Sequence, residues 1–325
     1  FAYILYSVAR GLGINVFFFA QIQVRDSFII ARSIEDMFAP IRTEYQRLRE
    51  SGGPVALSGR VKIEFDRRSD RQKPFYTGVS DLKWSRKIYE WNKLAFRIDT
   101  RLRVHRLLRN VLAYWRARKP MPPAGAPFVY FPLHLQPEAS TSAMGGVFVD
   151  QYFAVELLAR ALPDGWTLVV KEHPAQYFAK REYGFYKRIG RIKNVRLVSR
   201  SIDTYALIDQ CRAVASITGT AGWEALFTDK PVLVLGNAIY RGAPGTVSVD
   251  DPAELAARLA EIAQGEYPRR SSEDLERFLA AIGQCSHEGV VDTVYLRDSD
   301  LTVQRAIETQ AAALMRLVES PQSVR

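Results

Sequence analysis

The chain has 325 residues, 47% of them hydrophobic and 25% charged, a composition typical of folded globular proteins rather than disordered or fibrous ones. Its length favours two domains. The only cysteines, Cys211 and Cys285, lack metal-ligand spacing, which favours free thiols in a reducing compartment. No apolar run approaches the ~20 residues that cross a bilayer, and no signal-peptide pattern opens the chain. We therefore expect a cytoplasmic protein. The chain starts at Phe1 without a methionine and already has a helical pattern over Ala2 to Arg10, which suggests that residues upstream are missing.

The net charge of +10 is concentrated in residues 81–119, which hold 12 Lys or Arg against three acidic residues. Apolar residues recur there at helical spacing with basic residues on the other side, which predicts one long or two shorter amphipathic helices. The apolar set is Trp84, Ile88, Trp91, Ala95, Ile98, Leu102, Leu108, Leu112 and Trp115. A core-facing stripe is the simplest interpretation, and it predicts that the tryptophans are buried. The functional interpretations are contact with an anionic membrane or with an acidic polymer.

The first 120 residues suggest a Rossmann-like domain. Residues 3–10 carry helical spacing, Gly11 and Gly13 break it, and residues 14–19 follow as a buried strand. A second helix is expected from Ser33 to about Glu50. We expect this domain to bind the acceptor, to contain a parallel sheet, and to include the basic helices of residues 81–119.

Beyond a proline-rich linker, strands and helices alternate, which predicts a parallel sheet with ligands at the carboxyl ends of its strands. The predicted strands are residues 128–133, 167–171, 195–198, 213–217 and 232–235. We assign residues 127–270 to a nucleotide-binding domain. Residues 271–325 form a predicted helical tail that we expect to pack back on the first domain.

Residues 215–226 read as a strand, a tight turn and a helix start. Gly219 and Gly222 allow close backbone approach, and the first helical amides suit an anion such as a phosphate. Thr218 and Thr220 add hydroxyl donors, and Glu224 could meet sugar hydroxyls. The plain alternative is that these residues only form a turn and favour the helix start.

Two further loops follow predicted strands, and a parallel sheet would place all three loops on one edge. The chemically relevant residues of these two loops are Gln136, Glu138 and Ser140 in the first and Lys171, His173 and Pro174 in the second. His173, held extended by Pro174, could donate to a phosphate or be a structural histidine. Glu138 could be a nucleophile or base, or only cap the next helix. Lys171 could meet phosphate charge.

Three ordered segments carry a resemblance to a known family: residues 131–141 (FPLHLQPEAST), 170–174 (VKEHP) and 218–226 (TGTAGWEAL). They resemble the capsule polysaccharide biosynthesis glycosyltransferases, and more narrowly the retaining β-Kdo transferases, GT-B-fold enzymes that use CMP-Kdo. The resemblance implies a catalytic acid in the first loop and a donor-phosphate contact at the His-Pro pair, roles that fall on Glu138 and on His173 with Pro174. Some relatives carry Asp where this chain has Glu138.

The expected fold is therefore α/β and GT-B-like, with two Rossmann-like domains and a helical tail. The expected activity is metal-independent sugar transfer from a nucleotide sugar, CMP-Kdo being the candidate, to a glycan or lipid-linked acceptor at the inner face of the membrane, with no cofactor. Asp298 and Asp300 have metal-ligand spacing but lie outside the loops and favour a helix cap. The alternatives are a polyol-phosphate transferase, a nucleotide-sugar 2-epimerase and, outside enzymes, nucleic-acid binding by residues 81–119, which we do not expect.

Overall fold

The computed structural model describes residues 2–35, 37–72, 98–136, 143–292 and 295–319. The chain divides into two compact units. The first contains Phe1–Thr77, Gly242–Pro244 and Arg270–Arg325, and the second contains Gly78–Arg241 and Gly245–Arg269. The α/β class predicted from the sequence is confirmed.

The helices are α1 Ala2–Gly11, α2 Ala39–Ser51, α3 Gly59–Ser69, α4 Ile98–Ala117, α5 Gln151–Ala161, α6 Phe185–Arg191, α7 Thr204–Gln210, α8 Thr220–Ala225, α9 Leu255–Gln264, α10 Ser272–Cys285 and α11 Val303–Glu319. The strands are β1 Phe18–Gln21, β2 Ser27–Ala31, β3 Phe128–Pro132, β4 Thr167–Lys171, β5 Val195–Val198, β6 Ala213–Ser216, β7 Val232–Val234, β8 Thr246–Ser248 and β9 His287–Glu288. Short 3₁₀ turns lie at Gly146–Val149, Phe178–Lys180, Pro252–Glu254 and Tyr295–Asp298.

The sheet of the first unit is antiparallel, in the order β1-β2-β9. The parallel sheet expected for this unit was therefore wrong. Only residues 22–26 separate β1 from β2. A parallel pair needs a crossover of roughly a dozen residues or more, so a connection this short permits only antiparallel pairing. The third strand, β9, comes from the far end of the chain, which local sequence patterns could not reveal.

Helices from both ends of the chain build the core of the first unit. Tyr45 on α2 meets Phe278 on α10 edge to face, with ring centroids 5.4 Å apart. Gly283 on α10 lies close to Val61 on α3, since a methyl group at that glycine would come within 3.1 Å of the valine side chain. The predicted C-terminal helices are thus present, and residues 270–325 group with residues 1–77.

The second unit contains a six-stranded, all-parallel sheet in the order β5-β4-β3-β6-β7-β8, as predicted. Its central strands are fully buried because helices cover both faces, which explains their nearly continuous apolar sequence. The strand order reverses between β3 and β6. Such a topological switch point opens a crevice at the carboxyl ends of the strands, where ligands of doubly wound sheets bind.

Helix α4 packs on the second unit, although residues 81–119 were predicted to belong to the first domain. Asn110 and Tyr114 are buried, and the ring of Tyr114 lies 5.1 Å from Phe178 and 5.3 Å from Tyr186, between centroids. The side-chain amide of Asn110 donates to the carbonyls of Phe178 and Arg181. The side chains of Asn110 and Tyr114 fit the surface formed by Phe178, Arg181 and Tyr186. The face of α4 that carries them therefore packs inward.

Three residues of the predicted apolar stripe on α4 are consequently exposed. Leu108 is 63%, Leu112 49% and Trp115 61% accessible to solvent. The expectation that Trp115 is buried was wrong, because the inward face is set by the shape and hydrogen bonding of its neighbours rather than by hydrophobicity alone. Trp84 and Trp91 lie outside the described residues.

Candidate functional site

The loops after β3, β4 and β6 leave the same edge of the second-unit sheet. Strand β3 pairs in parallel with β4 on one side and with β6 on the other. The amide of Leu133 donates to the carbonyl of Lys171 at 2.8 Å, which extends the pairing into the first residue of the loop. The candidate residues of all three loops therefore start from neighbouring strand ends at the switch point.

His134 joins two of these loops across the switch point. Its Nε2 accepts a hydrogen bond from the amide of Thr218 at 3.1 Å. Gln151 on α5 binds both backbone groups of His134, at 2.9 and 3.2 Å. Burial lowers the pKa of His134 to about 3, and the nearby His173 and Arg181 add to this effect. The ring is therefore neutral at physiological pH and acts as a structural link between loops.

The glycines of the turn after β6 make room for buried side chains. A methyl group at Gly219 would lie 2.7 Å from Nε2 of His134, and one at Gly222 would collide with the hydroxyl of Tyr240. The Tyr240 hydroxyl donates to the carbonyl of Gly219 at 2.7 Å, and the amide of Gly219 donates to Oγ of Ser216 at 3.1 Å. Close internal packing thus requires both glycines, and their predicted approach to a ligand stays a prediction.

We expect Gly219→Ala to destabilise the second unit by about 1–3 kcal/mol, because the new methyl group forces His134 away from Thr218. The melting temperature, measured by circular dichroism, reports this loss of stability. Gly59→Ala is the matched control, since a methyl group at Gly59 meets nothing within 4 Å. Equal melting temperatures for the two variants would contradict the proposed link.

Lys171 and Glu224 are both buried, each 5% accessible. Nζ of Lys171 donates to the hydroxyl of Thr204 at the start of α7, at 2.8 Å. Burial raises the pKa of the Tyr130 phenol, and the negative charge of the nearby Glu224 raises it further. The structure thus places both residues beneath the loop edge, and their predicted contacts with phosphate and sugar stay predictions.

Glu172 and Arg181 form a fully buried ion pair within the connection from β4 to α6. Arg181 donates through Nε to Oε2 of Glu172 at 2.9 Å and through Nη2 to Oε1 at 2.6 Å. The hydroxyl of Tyr186 and the amide of His173 also donate to this carboxylate, at 2.5 and 2.7 Å. Arg181 was not among the predicted site residues, because nothing in its polar neighbourhood distinguishes it from a surface arginine.

Gln136 uses its side chain to hold its own loop. Its Oε1 accepts from Nη1 of Arg181 at 2.8 Å, and its Nε2 donates to the carbonyl of Val149 at 2.9 Å. Gln176 binds both the amide and the carbonyl of Gln136. We predicted Gln136 as a substrate contact, and the structure shows that its amide group is already engaged within the protein.

His173 is the partly exposed histidine of the loop edge. Its Nδ1 accepts from the amide of Ala175 at 3.1 Å, so the neutral ring carries its proton on Nε2. Burial lowers the pKa of His173; the nearby Glu172 opposes this shift, and Arg181 and Lys171 favour it. Pro174 beside it is exposed. This arrangement leaves Nε2–H as the donor that the ring can offer to a ligand.

Comparison with known families covers most of this unit. Residues 116–261 match the family model described as "Capsule polysaccharide biosynthesis protein". This segment of the chain is similar to the capsule polysaccharide biosynthesis family. The predicted resemblance to this family is thereby confirmed, and the matched segment, which we call the capsule biosynthesis segment, contains all three loops. No curated protein sequence matches the chain.

Solved structures with a similar arrangement include glycosyltransferases. The β-Kdo 2,7 transferase of Thermosulfurimonas dismutans KpsC is 13% identical with a TM-score of 0.42, over 95% of this chain and 83% of that one. The β-Kdo 2,4 transferase of the same protein is 14% identical with a TM-score of 0.41, over 92% and 80%. Anabaena Alr3699/HepE, in complex with UDP-glucose, is 16% identical with a TM-score of 0.34, over 63% and 51%. These likenesses are too distant to give any residue of the capsule biosynthesis segment a role.

The remaining predicted residues have different outcomes. Glu138 and Ser140 lie outside the described residues, and their roles stay predictions. Thr220 is the first residue of α8 and is half-buried. Asp300 binds Nη2 of Arg25 at 3.0 Å in the first unit, and the described residues contain no group of three side chains able to hold a metal ion.

Proposed function

We propose that the chain is a glycosyltransferase of capsule or surface polysaccharide biosynthesis, which transfers a sugar from a nucleotide donor to a glycan or lipid-linked acceptor. One observation carries the proposal. The segment that matches the capsule biosynthesis family supplies three polar loops at the switch point of a doubly wound sheet, where nucleotides bind in such folds. Kdo transferred from CMP-Kdo, with retention of configuration, is the specific reaction we propose.

In this proposal the second unit binds the nucleotide and the first unit serves the acceptor, in a GT-B-like enzyme. His173 donates its Nε2 proton to the donor phosphate, because its Nδ1 is already engaged by Ala175. Glu138 attacks the anomeric carbon or acts as base. The neutral His173 ring and nearby basic side chains can stabilise the leaving phosphate without a metal ion. We therefore propose that sugar transfer persists when a metal chelator is added.

A panel of CMP-, UDP- and GDP-sugars with a soluble glycan acceptor tests this function, with products identified by mass spectrometry. Transfer from CMP-Kdo would support it. An acceptor modified with a polyol phosphate from a CDP-polyol would favour the polyol-phosphate transferase instead. A nucleotide sugar epimerised without any acceptor would favour the 2-epimerase.

We also propose peripheral contact with an anionic membrane at the cytoplasmic face, through α4. Leu108, Leu112 and Trp115 recur at intervals of four and three residues, so they share one exposed face of the helix. Arg109 and Arg116 are exposed on the same helix. Such a pairing of apolar and basic surface is typical of helices that lie in the membrane interface. Among the described residues, no helix is long and apolar enough to span a bilayer.

The wild-type protein is expected to float with anionic liposomes at low salt and not with neutral ones, since each basic residue near such a surface contributes about 1 kcal/mol. Leu112→Glu should reduce flotation roughly tenfold or more, because it removes an apolar contact worth about 1.5–3 kcal/mol. Ile63→Glu, on α3, is the matched control, with 54% of its side chain exposed. Equal flotation of the two variants, or equal binding to neutral liposomes, would refute the contact.

The nucleic-acid alternative gains support from one observation. The guanidinium of Arg118 lies 4.5 Å from the ring centre of the exposed Trp115, and exposed aromatic and arginine side chains are the groups that stack on bases. A salt titration of binding to single-stranded DNA decides between the two partners. A steep loss of affinity with salt would support this alternative, because phosphate contacts release counterions.

A further inference from the structure

Arg181 is 1% accessible, and its guanidinium binds residues of the loop after β3 and of the loop after β4. Besides its two bonds to Glu172 after β4, it donates to Oε1 of Gln136 and to the carbonyl of His134, each at 2.8 Å, after β3. One buried side chain therefore connects two neighbouring strand ends. Only the planar fork of an arginine can reach acceptors in these directions together.

The backbone of Arg181 is itself anchored. Its carbonyl accepts hydrogen bonds from two residues of α4. Nε and Nη2 of Arg106 donate at 3.1 and 2.7 Å, and the side-chain amide of Asn110 donates at 3.1 Å. Its guanidinium also lies 5.0 Å from the ring centre of Phe185. Helix α4 thus holds the backbone of Arg181 and the Phe185 ring lies against its guanidinium, so the position of the residue is fixed before any ligand arrives.

We propose that Arg181 is a positioning residue that holds the loop after β3 in register with the loop after β4, and so aligns the catalytic residues for sugar transfer. The proposal rests on the transferase function proposed above. Arg181 fixes the side chain of Gln136, and Glu138 follows two residues later in the sequence. A small displacement of a reacting group lowers the rate of the chemical step more than it weakens substrate binding.

A simpler role for Arg181 would be to neutralise the charge of Glu172. The contacts of its guanidinium argue that this is not its only role. Two of the four bonds from the guanidinium go to neutral groups on the other loop, His134 and Gln136. The carboxylate, in turn, has donors besides Arg181, namely Tyr186 and the amide of His173. Loss of Arg181 should therefore disturb the loop after β3 more than the loop that carries His173.

Hydrogen exchange measures loop positioning without any need for activity. The amides of His134 and Gln136 donate to Gln151 and Gln176, and Arg181→Lys should speed their exchange at least about tenfold. Arg68→Lys in the first unit is the matched control, because Arg68 is equally buried and donates to Glu64 at 2.6 Å. Unchanged exchange in Arg181→Lys, or the same change in both variants, would overturn the proposal.

Kinetics then separate positioning from charge neutralisation. Arg181→Lys should lower kcat at least about tenfold and change the KM for the donor less.

The double variant Arg181→Met with Glu172→Gln removes both charges. We expect its melting temperature to exceed that of Arg181→Met alone, with kcat still low. Recovery of kcat in the double variant would show that Arg181 only neutralises Glu172. A wild-type protein that transfers no sugar would refute the proposed function, while hydrogen exchange would still decide the role of Arg181.

Discussion

Glu138→Gln is expected to lower sugar transfer by several orders of magnitude and to leave nucleotide affinity near that of the wild type. A retaining transfer through a covalent adduct needs a carboxylate against the anomeric carbon while the phosphate leaves from the opposite face. Glutamine keeps the size and hydrogen bonding of the side chain but has no negative charge, so it removes the chemistry and preserves binding. Among the other loop acids, Glu172 is fully buried in its bonds with Arg181, and Glu224 is also buried.

Two quantities are measured for each variant: nucleotide affinity, by calorimetry, and the rate of turnover with the correct donor. Glu156→Gln is a suitable control, because Glu156 forms an ion pair with Arg160 on the surface of α5. Near-normal turnover in Glu138→Gln would exclude Glu138 as nucleophile or base.

His173→Ala is expected to reduce kcat/KM for the donor by a factor of about ten to a hundred, because a hydrogen bond to a charged phosphate contributes roughly 1.5–3 kcal/mol. The fold should change little. The side chain is partly exposed, and its Nδ1 accepts from the amide of Ala175, two residues away. Kinetics at varied donor concentration, with melting temperature measured alongside, provide the test.

His105→Ala supplies the control for His173→Ala, as an exposed histidine on α4. With a soluble acceptor and no membrane it should match the wild type. Full activity of His173→Ala, or a loss of activity that follows unfolding, would identify His173 as a structural histidine. His134→Ala should behave differently, because it removes a buried link between two loops and acts through stability.

Much of the second unit could be predicted from the sequence. Its strands are short apolar runs separated by helical patterns, and the resulting all-parallel sheet is encoded in that local alternation. The shared edge of the three loops followed from the same reasoning, since parallel strands end on one side. The motifs in those loops also sufficed to predict the resemblance to a capsule biosynthesis family, which the match over residues 116–261 confirmed.

The chain's own sequence therefore determined the α/β class, the parallel sheet and the edge at which polar loops collect, because each depends on periodicity over a few neighbouring residues. Only the tertiary structure decided the antiparallel sheet completed by β9, the inward face of α4 and the place of Arg181. Each of these depends on partners distant in sequence. Hydrophobicity along a helix cannot say which face a neighbour's shape will select, and an arginine becomes a link between loops only when folding brings its acceptors together.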